Sequence, residues 1–261
     1  MKALAIAATG MSAQQMNVEV IANNIANLNT TGFKKSRAEF SDLMYQAHRR
    51  QGTTSTEAGT IVPAGVEIGL GVKPSAVTRI SSQGSLENTG NPLDLALEGR
   101  GFFKIDMPDG TETYTRAGNL QKAPDGTIVT VDGFPVSPGI VIPENTREVT
   151  VNRDGEVLAF LDGEVEPQNL GRITITTFVN EAGLEALGDN LFRATEASGD
   201  PVDGFPGDPG FATLRQGYVE TSNVDSVTEI TSLITAQRAY EMNSKVIETA
   251  NQMGQTVSQM R

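Results

Sequence analysis

The sequence predicts an α+β protein in which helices from both chain ends form one discontinuous, coiled-coil-like domain with an inserted, mainly antiparallel β domain. Three observations predict this class. Apolar side chains repeat at heptad spacing near the N-terminus, a similar repeat fills the C-terminal end, and the middle holds short β-type runs separated by turns. The predicted division is 1–32 with 222–261 for the paired helices, 33–71 for a linker and extended arm, and 72–221 for the β domain.

The first predicted helix covers residues 3–28 and carries an apolar seam. Apolar side chains recur every seven residues, with a second set three positions later: Leu4, Met11, Val18 and Ile25, then Ala7, Ile21 and Leu28. This pattern predicts a helix roughly 40 Å long that packs along a partner helix. We expect it to end near Asn29, where Gly32 would supply a left-handed C-cap.

Asparagines crowd the C-terminal half of this predicted helix at Asn23, Asn24 and Asn27, and Asn29 follows. Each Asn costs roughly 0.5 kcal/mol relative to Ala in a helix. Two interpretations stay open: a fraying helix end with Asn as alternative caps, or amides that bond to neighbouring helices or backbone. The propensity cost favours the second, because a helix with only solvent beside it gains nothing from these residues.

The residues after this helix change in character. The polar segment 51–59 predicts a linker or an extended arm. Further along, Leu93, Leu95 and Leu97 alternate with other residues and are predicted to share one face of a strand. Turn signals and β-branched runs then predict hairpins, the turns at 108–110, 124–126 and 132–133 and the strands at 127–131, 148–151 and 172–178.

The C-terminal helix is predicted to begin with a capping box formed by Ser226 and Glu229. An apolar seam follows in steps of three and four, with a flanking stripe beside it: Ala236, Ala239, Asn243, Val246, Ala250, Met253, Val257 and Met260, then Leu233, Tyr240 and Ile247. Within this seam Asn243 would fix the register between helices.

We predict that both terminal helices mediate subunit assembly. The first is apolar on one side and rich in Asn near Gly32, so a simple intramolecular hairpin would satisfy only one of its faces. Many copies packed into a tube would satisfy both. The residues predicted to carry assembly are Leu4, Met11, Val18, Ile21, Asn23, Asn24, Ile25, Asn27 and Leu28 in the first helix, and Ala239, Tyr240, Asn243, Val246, Ala250, Met253 and Val257 in the second.

The composition excludes several classes of function. The formal net charge of -12 opposes nucleic-acid binding, because phosphate backbones are also negative. The chain has no cysteine, and His48 is its one histidine, so a thiol nucleophile or a Cys/His zinc site is impossible. The apolar start of the chain ends at Thr9, which is short for a signal peptide. We therefore expect no cleaved signal.

Catalytic motifs are missing from the sequence. It contains no Gly-x-Ser-x-Gly elbow, no phosphate-binding Gly-x-x-x-x-Gly-Lys-Ser/Thr loop and no His-Glu-x-x-His. The acidic loop 200–208 lacks the spacing of a calcium-binding EF-hand. We expect no enzyme, no cofactor, no metal and no small-molecule substrate. Paired carboxylates keep one alternative of a different class open, a secreted glycan-binding or glycan-cleaving protein.

Several segments together resemble the bacterial flagellar basal-body rod and hook family. They lie in the same order as in that family and span nearly the whole chain: Ala22–Asn27, Thr31–Lys34 with Gly32, Phe33 and Lys34, Gly99–Lys104, Tyr114–Gly118, Gly217–Val224 and Ala236–Lys245. Hook members are usually longer, whereas distal-rod members are similar to this chain in having an inserted segment after the first helix, here 45–63. In the family that segment is associated with a stiff, straight rod.

The resemblance implies a structural subunit of the distal rod, polymerising helically into a rigid hollow drive shaft that transmits torque from motor to hook. A hook or other axial subunit is the alternative within the family. The implied partners are copies of the chain itself, proximal rod proteins, the hook protein, the bushing rings in the peptidoglycan and outer membrane, and the flagellar type III export apparatus. The implied location is the basal body, from the periplasm to the outer membrane.

Overall fold

The structure is a computed structural model that describes residues 2–49, 64–163 and 166–259. The chain divides into two compact units, each built from separate stretches of sequence. We call Met1–Ile25, Ser36–Thr78 and Asp225–Arg261 the terminal unit, and Ala26–Lys35 with Arg79–Val224 the central unit. Two long helices and many antiparallel strands make the protein α+β, as the sequence predicts.

The terminal unit combines two helices with a β-ribbon. Its elements are α1 (Lys2–Ala26), β1 (Ser36–Asp42), β2 (Tyr45–Arg49), β3 (Val66–Gly69), β4 (Val72–Arg79) and α2 (Ser226–Gln259). Strand β1 pairs with β4, and β2 pairs antiparallel with β3. The amide of Leu43 donates to Gly71 over 2.8 Å, which joins the two pairs into one ribbon. The linker and arm predicted for 33–71 therefore contain strands that the sequence did not predict, and 51–59 lies outside the described residues.

The predicted C-terminal end of the first helix is wrong. Helix α1 ends at Ala26, and the carbonyl of Asn27 accepts from the amide of Thr30 over 3.2 Å in a following turn. Gly32 has the predicted left-handed backbone, with φ of 70°, but it caps no helix. Its amide instead donates to the carbonyl of Glu220 over 2.8 Å. Residues 27–32 form turns and bond to the backbone of the central unit instead of continuing the helix.

The predicted capping box at the start of α2 is also wrong. The carboxylate of Asp225 accepts from the amides of Val227 and Thr228 over 2.9 and 3.2 Å. Asp225 is therefore the N-cap residue, one position before the predicted one. This leaves the side chain of Glu229 available for a contact with Asn24, described below.

In its described residues, the central unit holds fifteen strands and one short 3-10 helix. The first strands are β5 (Leu86–Asn88), β6 (Leu95–Glu98), β7 (Phe102–Asp106), β8 (Glu112–Thr115), β9 (Gln121–Lys122), β10 (Ile128–Val129), β11 (Thr146–Val151) and β12 (Glu156–Leu161). The remainder are β13 (Gln168–Arg172), β14 (Ile175–Thr177), β15 (Glu185–Gly188), β16 (Leu191–Arg193), β17 (Val202–Gly204), β18 (Thr213–Gln216) and β19 (Tyr218–Glu220), with the 3-10 helix at Glu181–Gly183.

These strands form one large sheet and several smaller ones. The six-stranded sheet has the order β15-β16-β8-β7-β14-β17, and β11, β12 and β13 make a three-stranded sheet. The remaining pairs are β10 with β9, β18 with β6, and β19 with β5. The two strands of every one of these central-unit pairs run antiparallel. Sequential hairpins such as β7–β8 and β11–β12 agree with the predicted architecture.

The core of the central unit is apolar and includes Leu95, Phe103, Ile105, Val157 and Ile175. Leu95 and Leu97 lie two positions apart in β6 and share one face, as predicted, whereas Leu93 precedes the strand. Ala96, between them, is buried as well. Strand β6 is therefore covered on both faces, a feature that the alternation of residue types along the strand does not predict. No helix within the described ranges is long and apolar enough to cross a membrane.

Candidate functional site

Segments that are far apart in sequence meet at a buried ion cluster in the central unit. The cluster consists of Lys34, Arg116 and Glu220, whose side chains are 5, 5 and 1% exposed. The Glu220 carboxylate accepts from the Lys34 ammonium, from Nε of Arg116 over 2.5 Å and from the amide of Gly84 over 2.8 Å. Such charge-assisted bonds are stronger than neutral ones, and burial strengthens them further.

Backbone geometry brings Lys34 to this position. Gly32 adopts φ of 70°, and a Cβ there would lie 2.8 Å from the backbone of Arg116 and Ala117. A side chain at Gly32 would therefore clash, so the close approach requires glycine. Asn223 secures the neighbouring residues. Its side-chain Oδ1 accepts from the backbone amide of Lys35 over 2.7 Å, and its backbone amide donates to the carbonyl of Phe33 over 3.4 Å.

The guanidinium of Arg116 is held by backbone carbonyls on the side away from Glu220. It donates to Gly101 over 2.5 Å, to Gly99 over 2.6 Å and to Leu97 over 3.1 Å. Gly99 and Gly101 both have positive φ, at 121° and 144°. These conformations, which glycine adopts readily, turn two carbonyls of one short segment towards the same cation.

The electrostatics of the cluster follow from burial and pairing. Burial raises the pKa of Glu220, but the charge of Arg116 and the hydrogen bond from Lys34 outweigh it, so the pKa lies below its ordinary value of 4.5. Burial lowers the pKa of Lys34 by more than the bond to Glu220 raises it. All three groups are engaged in ion pairs and hydrogen bonds, and no nucleophile or general base stands free among them. The arrangement holds chain segments together.

A second polar node lies in the terminal unit at Asn24, which is buried. Its amide nitrogen donates to the carbonyl of Ser36 over 2.9 Å and to Oε2 of Glu229 over 3.2 Å. Its oxygen accepts from the amide of Ser36, also over 2.9 Å. One side chain therefore joins α1, β1 and α2 within a single chain, in the way that the amide interpretation of the Asn cluster predicts. Asn23 and Asn27 also have interaction partners.

The predicted assembly residues of the first helix are only partly covered within the chain. In α1, Ile21 and Asn24 are buried, whereas Leu4, Met11, Val18 and Ile25 are half-buried. Asn23 is exposed, and Asn27 and Leu28 lie in the turn after the helix, in the central unit. Their role in assembly stays a prediction.

The predicted assembly residues of α2 are less covered. Ala239, Asn243 and Ala250 are half-buried, and Asn243 faces Gly10 of α1, where a Cβ would lie 3.0 Å from its Nδ2. Tyr240, Val246 and Met253 are exposed. The side-chain environment of Val257 lies outside what the structure describes. The close fit at Gly10 involves a residue that the sequence analysis did not include.

Sequence reasoning found Gly32, Phe33 and Lys34 but missed Arg116 and Glu220. Each lies in a segment that resembles the rod and hook family, Tyr114–Gly118 for Arg116 and Gly217–Val224 for Glu220, so the family motifs are the signal that points to them. Spacing could not, because Lys34 and Glu220 are separated by 186 positions. In the described part of the chain, no group of three or more His, Cys, Asp or Glu side chains could hold a metal ion.

Three family models, each of flagellar rod or hook proteins, match separate segments of the chain. Residues 4–34 match the family described as flagella basal body rod protein, and 96–159 match the flagellar hook protein FlgE/F/G D1 domain. Residues 215–260 match the flagellar basal body rod FlgEFG protein C-terminal family. Lys34 and Glu220 thus lie in the two terminal matches, and Arg116 lies in the middle one.

Full-length relatives decide the family. The flagellar basal-body rod protein FlgG of Caulobacter vibrioides is 56% identical over 261 residues, which cover 100% of both chains. The chain belongs to the FlgG family. The FlgG protein of Agrobacterium fabrum is 57% identical over 99% of this chain and 98% of its own. The FlgF protein of Caulobacter vibrioides is 33% identical over 95% of this chain and 94% of its own. Membership of the FlgG family makes the chain a structural subunit of the flagellar basal-body rod.

Proposed function

We propose that this rod subunit polymerises helically into the distal rod, a rigid hollow shaft that transmits torque from the motor to the hook. Its terminal helices carry the contacts between copies and line the channel. Its partners are further copies, proximal rod proteins, the hook protein, the bushing rings in the peptidoglycan and outer membrane, and the type III export apparatus. It works without catalysis in the basal body, where the rod runs from the periplasm to the outer membrane.

The apolar surface of α2 is the observation that carries this proposal. Met242, Val246 and Met253 are 64, 47 and 60% exposed, and their spacings of four and seven residues put them on one side of the helix. Fully burying an exposed apolar side chain of this size contributes about 1.5–3 kcal/mol, and covering the exposed part of each of these contributes roughly half as much. Contiguous exposed apolar side chains of this kind mark interaction sites in soluble proteins. In the proposed assembly, the terminal helices of other copies pack along the predicted seam and cover this surface.

The surrounding charge is compatible with such packing. Two acidic residues on α2, Glu241 and Glu248, lie outside the predicted seam, and the seam itself contains no charged side chain. Copies can therefore approach along the seam without burying an unpaired charge, which would be costly. The net charge of -12 keeps single copies soluble until they meet.

A pair of charge substitutions on α2 tests the proposal. Val246→Glu places a charge in the seam, whereas Gln255→Glu places the same charge nine positions later, on the opposite side of the helix. We expect electron microscopy of the concentrated, purified protein to show tubes or protofilaments for wild type and Gln255→Glu, and none for Val246→Glu. Equal assembly of the two variants would contradict the role of the seam.

A further inference from the structure

A cavity of about 170 Å³ opens beside the buried ion cluster, entirely within the central unit. Its walls are mostly polar or charged, and Phe102 and Gly99 complete them: Lys34, Ser81, Gln83, Gly99, Arg100, Phe102, Arg116 and Glu181. The two buried cations of the cluster, Lys34 and Arg116, therefore line open space as well as contacting Glu220. The torque-bearing function proposed above uses neither this cavity nor Arg100.

The charges around the cavity do not cancel. Lys34, Arg100 and Arg116 contribute three positive charges, and Glu181 and Glu220 contribute two negative ones, which leaves one positive charge in excess. Arg100 and Glu181 form an ion pair of 2.9 Å, with side chains that are 67 and 14% exposed. The excess therefore falls on the buried pair of cations that share the single carboxylate of Glu220. An uncompensated charge in a buried site is costly.

The buried cations also retain donor capacity. A lysine ammonium has three N–H groups, and that of Lys34 donates to Glu220 and to the carbonyl of Ser82 over 2.9 Å. A guanidinium has five, and that of Arg116 makes four bonds within the described residues. Each cation has one N–H without an acceptor in the described part of the chain. Burial also lowers the pKa of Lys34, which indicates that its charge is not fully stabilised.

We propose that this cavity binds a small oxyanion, a carboxylate or a phosphate, held by Lys34, Arg116 and Arg100. The anion supplies the missing negative charge and accepts from the remaining N–H groups, as oxyanions do from Lys and Arg elsewhere. Two sources offer this chemistry: a free anion in solution, or the side chain of an Asp or Glu on a second copy, of which each chain has 32.

The test compares four full-length proteins: wild type, Lys34→Met, Arg100→Gln and the control Arg193→Gln. Arg193 forms a surface ion pair with Glu185 in the same unit, at 2.7 Å, so the control also removes one paired arginine. The unfolding temperature of each dilute protein is measured while sodium phosphate or acetate replaces chloride at constant ionic strength. Arg100→Gln leaves the buried cluster intact, which keeps the test valid if Lys34→Met folds poorly.

If the cavity binds a free anion, phosphate or acetate should stabilise wild type and Arg193→Gln in a saturable way. The apparent affinity for the anion should be roughly tenfold weaker in Arg100→Gln, and Lys34→Met should show no stabilisation. If the anion is instead an acidic side chain of a second copy, phosphate and acetate should not stabilise the dilute proteins. Self-assembly at high concentration should then be weaker for Arg100→Gln than for Arg193→Gln. The inference is overturned if all four proteins respond to phosphate alike. It is also overturned if none responds and the two arginine variants assemble equally.

Discussion

Glu220, at the end of the last strand of the central unit, is the one carboxylate that two buried cations share. Lys34 and Arg116 would each be costly to bury alone, because an ion loses its hydration on leaving water. Both instead share one carboxylate, which also accepts from a backbone amide. The residue joins the segment that enters the central unit at 26–35 to the segment that leaves it at 220–224. Its removal should therefore affect stability more than any surface ion pair.

Replacing Glu220 by Gln keeps the size of the side chain and removes its charge. We expect Glu220→Gln to lower the free energy of unfolding by about 3–5 kcal/mol, because two cations stay buried without a counter-charge. The control is Glu185→Gln, at a surface pair with side chains about half exposed, which should cost at most ~1 kcal/mol. Urea unfolding at neutral pH measures both. A loss no larger than the control's would show that the cluster contributes little.

The stabilisation from Glu220 should depend on pH at the acidic end. Its pKa in the folded chain lies below the ordinary value of 4.5, so its contribution is fully present above pH 4.5. The contribution is lost as the pH falls from 4.5 through the lower, folded pKa, because the carboxylate then takes up a proton. The difference in unfolding free energy between wild type and Glu220→Gln should shrink over that range. A difference that stayed constant during acidification would contradict this account of the cluster.

At the scale of elements, the N-cap residue of α2 lies one position before the one that the local sequence predicts. Asp225, Ser226 and Glu229 all suit a helix N-terminus, and the sequence alone favoured Ser226 with Glu229. In the folded chain the Asp225 carboxylate takes the cap, and Glu229 turns to Asn24. A buried contact between two helices thus uses a side chain that would otherwise serve only its own helix.

This arrangement gives a direct test of the cap. Asp225→Ala should lower the free energy of unfolding by about 1 kcal/mol, because two amides of the first turn lose their acceptor. Ser226→Ala should have a much smaller effect, since Ser226 is the first residue of α2 and Ala favours helix. Thermal unfolding followed by circular dichroism at 222 nm measures helix loss in both variants. A larger loss of stability for Ser226→Ala than for Asp225→Ala would instead support the predicted capping box.

At the scale of the whole molecule, the boundary between the units falls in an unexpected place. Residues 26–35 follow α1 directly in sequence but belong to the central unit, where Gly32 and Lys34 bond to Glu220. The chain therefore passes from the terminal unit to the central one and back again before residue 79. A truncation can remove α1 and still leave the ion cluster complete.

Two truncations separate assembly from folding of the central unit. A chain that lacks residues 1–25 should keep the near-ultraviolet circular dichroism of the central unit, where Tyr114 packs against Phe178, but form no tubes. A chain that lacks residues 1–35 also loses Lys34 and the backbone bond from Gly32, and should unfold at lower urea concentration. Tubes formed by the first truncation, or equal stability of the two, would contradict this division of roles.

The sequence by itself determined the features that depend on neighbouring residues. Heptad spacing predicted both terminal helices, because a helix places residues three and four apart on one side. Turn residues predicted the hairpin turn at Asp109, whose carboxylate accepts from the amide of Thr111 over 2.9 Å. The family motifs identified Lys34 and the surroundings of Arg116 as belonging to one group of proteins. These signals are short in range and need no knowledge of the fold.

Only the tertiary structure decided which of these residues meet. Arg116 and Glu220 are 104 positions apart, and each is an ordinary charged residue in its own segment. Their pairing depends on a glycine that permits close approach at Gly32 and on carbonyls turned inward at Gly99 and Gly101. Long-range ion pairs of this kind leave no periodic trace in a sequence, because burial and distance, which create them, exist only after folding.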